Sequence, residues 1–333
     1  MGSESSPVVL YQAVQQALNE LPHATFTVLA THEAIDQIQY SIVSSLHPHR
    51  VHFKIAEEVI EMEDEPLIAI RQKKNSSMVL GLRLLKKQQL DGFVSCGNTG
   101  ALIVGATLTL PLLPGIRRPA LLATLPTQAG EVAVIDVGGN VSSKPHHLVQ
   151  FAYMGAAYQR CYQGIVQPKI GLLNIGTESK KGTSSVRKAY ELLQLHSQIN
   201  ELQFVGNVEG REIFQGSVDV LVTDGFTGNV LLKSVEGISS FMIDQLQEVF
   251  LKVPDQYNLQ VLREVKYSFD YQEYGGALIC GIDSVAIKCH GKSSAKGMLN
   301  GIKGAAALIE NQFIAQIKTQ LSNFKKMEET SKT

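Results

Sequence analysis

Short runs of β-branched and aliphatic residues alternate with longer helical patterns along most of this 333-residue chain. The pattern predicts strands at 25–30, 51–55, 92–95, 120–124, 132–137, 169–175, 203–206 and 219–223. It predicts helices at 8–19, 66–88, 99–108, 146–163, 183–195, 229–251 and 295–322. Strands that alternate with helices through short connections pair in parallel, so the pattern indicates an α/β fold with a mostly parallel sheet covered on both faces.

The ends of five predicted strands carry nearly the same residues. These segments are 95–100 (SCGNTG), 136–140 (DVGGN), 174–178 (NIGTE), 206–209 (GNVE) and 224–229 (DGFTGN). Glycine lets backbone N–H groups approach a ligand, Asn and Thr add neutral donors, and a following helix N-terminus favours an anion. Ligands of parallel sheets bind outside the carboxyl ends of the strands. The five segments therefore predict one shared cleft lined with hydrogen-bond donors.

Charge, hydropathy and cysteine content exclude several classes of protein. Lys and Arg number 30 against 31 Asp and Glu, so there is no basic field of the kind that nucleic-acid binding requires. The most apolar stretch, 101–113, is too short to span a membrane, and the N-terminus lacks the features of a signal peptide. The four cysteines have no metal-binding spacing, which favours a reduced, cytoplasmic protein without structural zinc.

Common phosphate-binding and hydrolase motifs are missing from the sequence. It contains neither Gly-x-x-x-x-Gly-Lys-Ser/Thr nor a Gly-x-Gly-x-x-Gly that follows a strand, which disfavours NTPases and simple dinucleotide-binding proteins. It also lacks the Gly-x-Ser-x-Gly of α/β-hydrolases.

Longer motifs follow one another in a fixed order along nearly the whole chain. They are 64–66 (DEP), Arg71, 73–78 (KKNSSM), 97–102 (GNTGAL), 118–120 (RPA), 144–148 (KPHHL), 171–178 (GLLNIGTE), 181–182 (KG), 206–209 (GNVE), 224–230 (DGFTGNV), Lys233, 274–277 (YGGA) and 290–291 (HG). In this order they resemble the bacterial phosphate acyltransferases of phospholipid synthesis, the acyl carrier protein:phosphate transacylases.

The resemblance implies a fold, a reaction and partners. The fold would be a three-layer α/β/α arrangement related to isocitrate and isopropylmalate dehydrogenases and to phosphotransacetylases. The reaction would convert acyl-[acyl carrier protein] and inorganic phosphate to acyl phosphate and free carrier protein, the first step toward phosphatidic acid. The protein would be a homodimer, and a membrane glycerol-3-phosphate acyltransferase would use its product.

The sequence departs from the family at its N-terminus. Family members open with a strand followed by Met-Gly-Gly-Asp-His-Ala-Pro, whereas residues 1–7 here are MGSESSP. We therefore expect the family's first strand to be missing. Any role of the Asp-His pair cannot be carried over to Ser3, Glu4 and Ser5.

We expect one α/β catalytic domain over 1–325 and a polar tail over 326–333. Segment 237–265 is amphipathic and lies outside the strand–helix pattern. Its expected use is dimer packing, with peripheral contact to the inner face of the cell membrane as the alternative.

Phosphate attack on a thioester makes modest chemical demands. A thiol with a pKa of about 8.5 leaves readily, and much of the phosphate, with a second pKa of about 6–7, is already dianionic at neutral pH. We therefore expect neither a cofactor nor a metal. The site has to position phosphate and stabilise the oxyanion.

Candidate site residues come from the strand-end segments and from the family motifs. The catalytic candidates are Asn229, Lys181 and Asn98. The substrate-binding candidates are Thr99, Gly100, Asn140, Lys144, His147, Thr177, Glu178, Asn207, Asp224, Gly228, Lys233, Gly275, Gly276 and His290. The candidates for binding the acidic carrier protein are Arg117, Arg118, Arg71 and Lys74.

Several candidates have a purely structural alternative. Asn98 is also placed to cap a helix, and His147 is more typical of a capping residue than of a base. Lys144 and Lys233 fit solvated lysines, and His290 fits an ordinary His-Gly turn. We expect Cys96 to be a packing residue, and Asp136 and Asp224 to hold loop amides.

Other functions stay open at this level. They are a short-chain phosphotransacetylase that uses coenzyme A, a dehydrogenase acting on a hydroxy acid, and a catalytically impaired scaffold with an altered N-terminus.

Overall fold

The computed structural model describes residues 1–41, 49–199, 202–252, 260–262, 264–265 and 275–330. These residues form two compact units. Unit 1 comprises Met1–Pro119 and Gly275–Thr333, and unit 2 comprises Ala120–Tyr274. The expected single domain over 1–325 stays a prediction.

The helices and strands follow one another in the alternating order that the sequence predicts. In chain order they are α1 (Pro7–Glu20), β1 (Phe26–Ala30), α2 (His32–Ser41), β2 (Val51–Ile55), α3 (Pro66–Gln72), α4 (Ser77–Lys86), β3 (Gly92–Ser95), α5 (Thr99–Thr109), β4 (Ala120–Thr127), β5 (Gly130–Ile135), α6 (Pro145–Tyr162), β6 (Lys169–Asn174), α7 (Ser184–Gln198), β7 (Gln203–Glu209), a 3-10 helix (Gly210–Gln215), β8 (Val220–Val222), α8 (Gly225–Lys252), β9 (Ala277–Cys280), β10 (Val285–Lys288), α9 (Ala295–Glu310) and α10 (Phe313–Thr330).

Unit 1 is built around short strands with helices packed on them. Strand β3 pairs in parallel with β10, which pairs antiparallel with β9, and β1 pairs in parallel with β2. Helix α1 buries Tyr11, Val14 and Leu18 in a core that also contains Leu299 and Ile302 of α9. This apolar contact fixes α1 although it precedes the strands in the chain.

Unit 2 holds strands in the order β4-β5-β8-β6-β7. Only β4 runs antiparallel to its neighbour, because a tight turn joins it to β5. The other pairings are parallel, and Ile135, Val222 and Leu172 lie side by side on β5, β8 and β6. The carboxyl ends of these four parallel strands therefore meet at one edge, and four of the five predicted donor-rich segments lie there. Helix α6 covers the sheet with its buried Phe151, Tyr153 and Met154.

The fold is thus a mixed α/β arrangement with mostly parallel strands, as predicted. All eight predicted strands are present, but α2, β9 and β10 were not predicted. Strand β7 runs beyond the predicted 203–206 to Glu209. Segment 206–209, which was predicted to lie at the end of the strand, is therefore part of the strand. Gly206 has a φ of +108°, and the β6–β7 register shifts there, which marks a β-bulge.

Two long predicted helices are each divided in the structure. The predicted helix 66–88 is α3 and α4, because Lys73 ends the first and the Ser76 hydroxyl accepts from the Val79 N–H to begin the second. The predicted helix 295–322 is α9 and α10, separated at Gln312, whose φ is +53°.

Segment 237–265 is described in part. Residues 237–252 belong to α8, whereas 253–259 and 263 lie outside the described residues. The predicted polar tail begins within α10, and 331–333 lie outside the described residues. Of the helices in the described ranges, none combines the length and apolar character needed to cross a membrane.

Candidate active site

Asp136 organises the loop that follows β5. Its side chain is fully buried, and Oδ1 accepts from the N–H groups of Leu121, Gly138 and Gly139 at 3.0, 3.1 and 2.7 Å. Oδ2 accepts from the backbone N and the side-chain Nδ2 of Asn140 at 2.7 and 2.8 Å. Burial raises the pKa of Asp136, and these bonds oppose the rise. The loop N–H groups and the Asn140 amide thus face the protein's own carboxylate, and the predicted contact of Asn140 with substrate stays a prediction.

The first turn of α8 packs directly on this loop. The Gly225 N–H donates to the Asn140 carbonyl at 2.8 Å, and Asn229 Nδ2 donates to the Val137 carbonyl at 3.1 Å. A Cβ on Gly228 would lie 1.9 Å from the Asp136 carbonyl oxygen, so only glycine permits this approach. Asp224 caps the helix by accepting from the backbone N and the hydroxyl of Thr227 at 2.9 and 3.0 Å. The expectation that Asp136 and Asp224 hold loop amides is confirmed.

The loop after β6 is held by a second set of bonds. Asn174 Nδ2 donates to the Lys181 carbonyl at 3.2 Å, and the Lys181 N–H donates to the Glu178 carbonyl at 3.1 Å. From β7, Asn207 Nδ2 also donates to the Glu178 carbonyl at 2.9 Å. Buried Asn207 therefore braces this loop from the neighbouring strand. Its predicted contact with substrate stays a prediction.

Lys181 lies on this braced loop, and its ammonium group is exposed. Its Nζ lies 4.0 Å from Glu178 Oε1, and both side chains are largely exposed. An exposed pair at that distance stabilises the fold little, so a dianion could compete for the lysine. Thr177 is exposed on the same loop. The predicted contact of Lys181 with phosphate stays a prediction.

Of the other basic candidates at this edge, one is a buried histidine and two are exposed lysines. His147 is buried, and its Nδ1 accepts from the Lys144 N–H at 3.3 Å at the start of α6, which confirms its expected capping role. The Lys144 side chain is exposed. Lys233 pairs with Glu236 one turn along α8 at 2.7 Å, as a solvated surface lysine does.

The side-chain amide of Asn98, in unit 1, makes hydrogen bonds with four backbone groups. Its Nδ2 donates to the carbonyls of Glu61, Met62 and Asp64 at 3.2, 2.9 and 3.1 Å, and its Oδ1 accepts from the Ala101 N–H at 3.0 Å. Both amide hydrogens are therefore used, and the predicted catalytic donor is a cap of α5 that also holds the 61–64 turn. This is the capping geometry given as the structural alternative for Asn98, and its catalytic role stays a prediction.

The neighbours of Asn98 also serve packing. A Cβ on Gly100 would lie 2.6 Å from Pro66 Cγ, so this glycine allows α5 to approach α3. Thr99, half-buried, begins α5. The Asp64 carboxylate is bonded to the Lys73 ammonium and to the Glu61 N–H, and these bonds hold the pKa of Asp64 below its usual value.

Cys96 precedes this helix and is buried with Cys289 of the adjacent strand end. Its Sγ lies 3.5 Å from Met298 Sδ. A hydrogen bond with Cys289, aided by the Lys288 ammonium, lowers the pKa of Cys96 against the effect of burial. Its position within the core agrees with the expected packing role. The buried Lys288 was missed because β10 was not predicted.

The remaining unit 1 candidates lie in tight turns. Gly276 has a φ of +77°, and a Cβ there would lie 2.7 Å from the Lys288 carbonyl; one on Gly275 would lie 3.0 Å from the Asn300 carbonyl. His290 Nδ1 accepts from the Lys292 N–H at 3.1 Å, which is the turn geometry given as its structural alternative.

Residues of the divergent N-terminus contact the same turn. The Glu4 N–H donates to the Gly291 carbonyl at 3.0 Å, and the Ser5 hydroxyl donates to the Ser293 carbonyl at 2.8 Å. Glu4 also pairs with Lys292 at 3.3 Å. These residues therefore support the turn that contains His290.

The four candidates for carrier-protein binding belong to unit 1. Arg71 lies in the last turn of α3, Lys74 lies between α3 and α4, and Arg117 and Arg118 precede β4; all four are exposed. Their role stays a prediction. In the part of the chain that the structure describes, no three His, Cys, Asp or Glu side chains form a cluster able to hold a metal ion.

Comparisons with known proteins find relatives that match nearly the whole chain. A family model described as fatty acid synthesis protein matches residues 1–316. The phosphate acyltransferase of Chlamydia pneumoniae is 41% identical over 327 residues, covering 96% of this chain and 97% of that protein. The phosphate acyltransferase of Chlamydia abortus is 39% identical over 325 residues, covering 97% of each.

A solved structure shares the fold. The phosphotransacetylase from Streptococcus pyogenes superposes with a TM-score of 0.63 over 92% of this chain and 91% of that chain, at 15% identity. At this identity the likeness shows the fold alone. The match to the family model and the sequence identity over nearly the full length show, in addition, the family to which the chain belongs. The chain therefore belongs to the phosphate acyltransferase family of fatty acid synthesis proteins and is an acyltransferase.

Proposed function

We propose that this enzyme transfers the acyl group of acyl-[acyl carrier protein] to inorganic phosphate, giving acyl phosphate and free carrier protein. The observation that carries the proposal is the braced carboxyl edge of unit 2. It presents the Lys181 ammonium from a loop that Asn207 braces, and the Asn229 amide from the start of α8, which packs on the Asp136 loop. Rigid loops with a cation and a neutral donor suit a reaction that needs placement more than acid–base chemistry.

In the proposed step, a phosphate oxygen attacks the thioester carbonyl carbon. A C–O bond forms, the carbonyl becomes a tetrahedral oxyanion, and collapse of that intermediate breaks the C–S bond. The electron pair leaves with sulfur, and the thiolate then takes a proton from water. Lys181 would hold phosphate. Asn229 would donate to the oxyanion, because an amide nitrogen has two N–H donors and the described contacts use one, to Val137.

The proposal predicts that thiol is released from palmitoyl-carrier protein only when phosphate is present. A thiol reagent measures release, and acyl phosphate is trapped with hydroxylamine as the hydroxamate. Equal release in phosphate-free buffer would identify a thioesterase and contradict the proposal. Donor choice tests the main alternative, since a preference for acetyl-coenzyme A over the carrier-protein donor would indicate a short-chain phosphotransacetylase.

The exposed pair Arg117 and Arg118 is the proposed docking point for the acidic carrier protein. Because the net charge of the chain is only −1, attraction has to come from a local patch. Replacing both arginines with Glu should raise the apparent KM for the carrier-protein donor about tenfold or more and weaken its salt dependence. The KM for phosphate should stay the same.

The matched control is the double variant Lys86→Glu with Lys87→Glu, which makes the same charge change on exposed residues at the end of α4. Equal effects of the two double variants would show that only net charge matters. A lower melting temperature of the arginine variant would instead indicate an internal structural role.

Helix α8 supports the proposed homodimer. From 230 to 250, where its side chains are described, no residue is buried, although Ile238, Phe241, Met242 and Val249 are large, apolar and exposed. A helix with this much exposed apolar surface needs a partner surface. We propose that a second copy covers it.

A further inference from the structure

Large apolar side chains stand exposed at the ends of three neighbouring strands of unit 2. Val141 follows β5 and is 80% exposed, Ile175 follows β6 and is 83% exposed, and Phe226 follows β8 and is 64% exposed. Val230, one turn further along α8, is 52% exposed. We refer to these four residues as the apolar rim.

Sheet register and one hydrogen bond bring the rim together. The Gly225 N–H donates to the Asn140 carbonyl at 2.8 Å, so the next residues, Phe226 and Val141, leave the two loops side by side. Leu172 pairs with Val222 on the adjoining strands, and Ile175 and Gly225 each come three residues later. Val230 is four residues after Phe226 and therefore lies on the same face of α8.

A single exposed apolar residue on a loop needs no explanation. Here, however, three adjacent strand ends each carry one: Val141 and Ile175 on loops, and Phe226 at the start of α8. The loop after β6 also carries the Lys181 ammonium, and α8 carries the Asn229 amide. The edge thus pairs anion-binding groups with an uncharged apolar surface.

We infer that the apolar rim binds the hydrocarbon chain of the acyl substrate, while the neighbouring polar groups bind its phosphate end. The inference rests on the proposed function and adds where the chain lies. Charge complementarity selects this occupant: an acyl phosphate has one anionic end and a neutral apolar tail. The edge has the Lys181 ammonium, which the exposed Glu178 carboxylate pairs only at 4.0 Å, and the Asn229 amide beside the four apolar side chains of the rim. A protein partner or a membrane would contact only the apolar rim, and its binding would not explain why Lys181 and Asn229 lie beside the rim.

We therefore expect the protein to prefer ligands with long hydrocarbon chains, and we expect this preference to depend on the side chains of the apolar rim. Each methylene that leaves water on the rim adds favourable free energy, whereas a chain too short to reach the rim adds none. Octyl phosphate, with four more methylenes than butyl phosphate, should therefore bind the wild type at least about tenfold more tightly.

The test uses calorimetric titration of the full chain with octyl and butyl phosphate, below the concentration at which octyl phosphate forms micelles. The variant combines Val141→Ser, Ile175→Ser and Phe226→Ser. These side chains are exposed, so we expect the fold to tolerate the changes. The variant should bind both ligands equally, with butyl phosphate affinity unchanged. Val166→Ser is the matched control, because Val166 is 82% exposed but precedes β6, at the opposite end of that strand.

Several outcomes would overturn the inference. The first is equal affinity of the wild type for the two phosphates, and the second is a chain-length preference that survives in the triple variant. A third is a change of molecular mass in sedimentation with the preference intact, which would make the rim an interface between copies. Because the readout is binding, absence of phosphate-dependent thiol release would refute the proposed function separately.

Discussion

Replacing Gly228 with Ala will destabilise the protein by about 3 kcal/mol and abolish acyl transfer. The added Cβ would lie 1.9 Å from the Asp136 carbonyl oxygen and 2.8 Å from Thr223 Cγ2. The obstructing atom is backbone at the turn that the Asp136 carboxylate organises, so it cannot rotate away. Helix α8 would have to shift, and its contacts with Val137 and Asn140 would be lost. Thermal melting and the thiol-release assay measure the two effects.

Gly237→Ala is the matched control because it makes the same substitution in the same helix. Open space surrounds Gly237, with nothing within 4 Å of the added Cβ. Alanine favours helix over glycine by up to about 1 kcal/mol, so this variant should melt at the same or a higher temperature. If the two variants melted alike, the close contact of α8 with the Asp136 turn would be refuted.

The strand–helix alternation was enough to predict most of the fold, because hydrophobic periodicity reports which face of each element is buried. Strands β9 and β10 were not predicted, although β3, which has the same length of four residues, was. The divisions at Ser76 and Gln312 were not predicted either, because periodicity continues across a break that capping or one left-handed residue makes. The hydrophobic pattern thus predicts most of the helices and strands, whereas local backbone chemistry determines where they end.

The candidate site was predicted less completely for a different reason. The sequence shows where Gly, Asn and Asp residues lie, but not which donor meets which acceptor. The glycine-rich loop 136–140 was predicted to offer its N–H groups to an anion. In the structure a buried carboxylate of the same loop takes the N–H groups of Gly138 and Gly139. Likewise, the Asn98 amide meets three carbonyls that precede it by more than 30 residues.

We propose that Asn229 and Lys181, both exposed at the carboxyl edge of unit 2, act in different ways. Lys181 offers charge to phosphate before reaction, so its loss should mainly raise the KM for phosphate. Asn229 offers a neutral N–H whose value grows as the oxyanion forms, so its loss should mainly lower kcat. This split between KM and kcat distinguishes the two roles.

We expect Asn229→Ala to reduce kcat by about 10²–10³, the effect of removing one oxyanion donor. Asn229 is exposed, and its single hydrogen bond among the described contacts goes to the Val137 carbonyl, so the variant should melt within a few degrees of the wild type. Ser234→Ala, at another exposed position of α8, is the control and should keep full turnover. A large fall in melting temperature would show that Asn229 mainly holds the Val137 turn. Unchanged kcat with an intact melt would show that Asn229 is not the oxyanion donor.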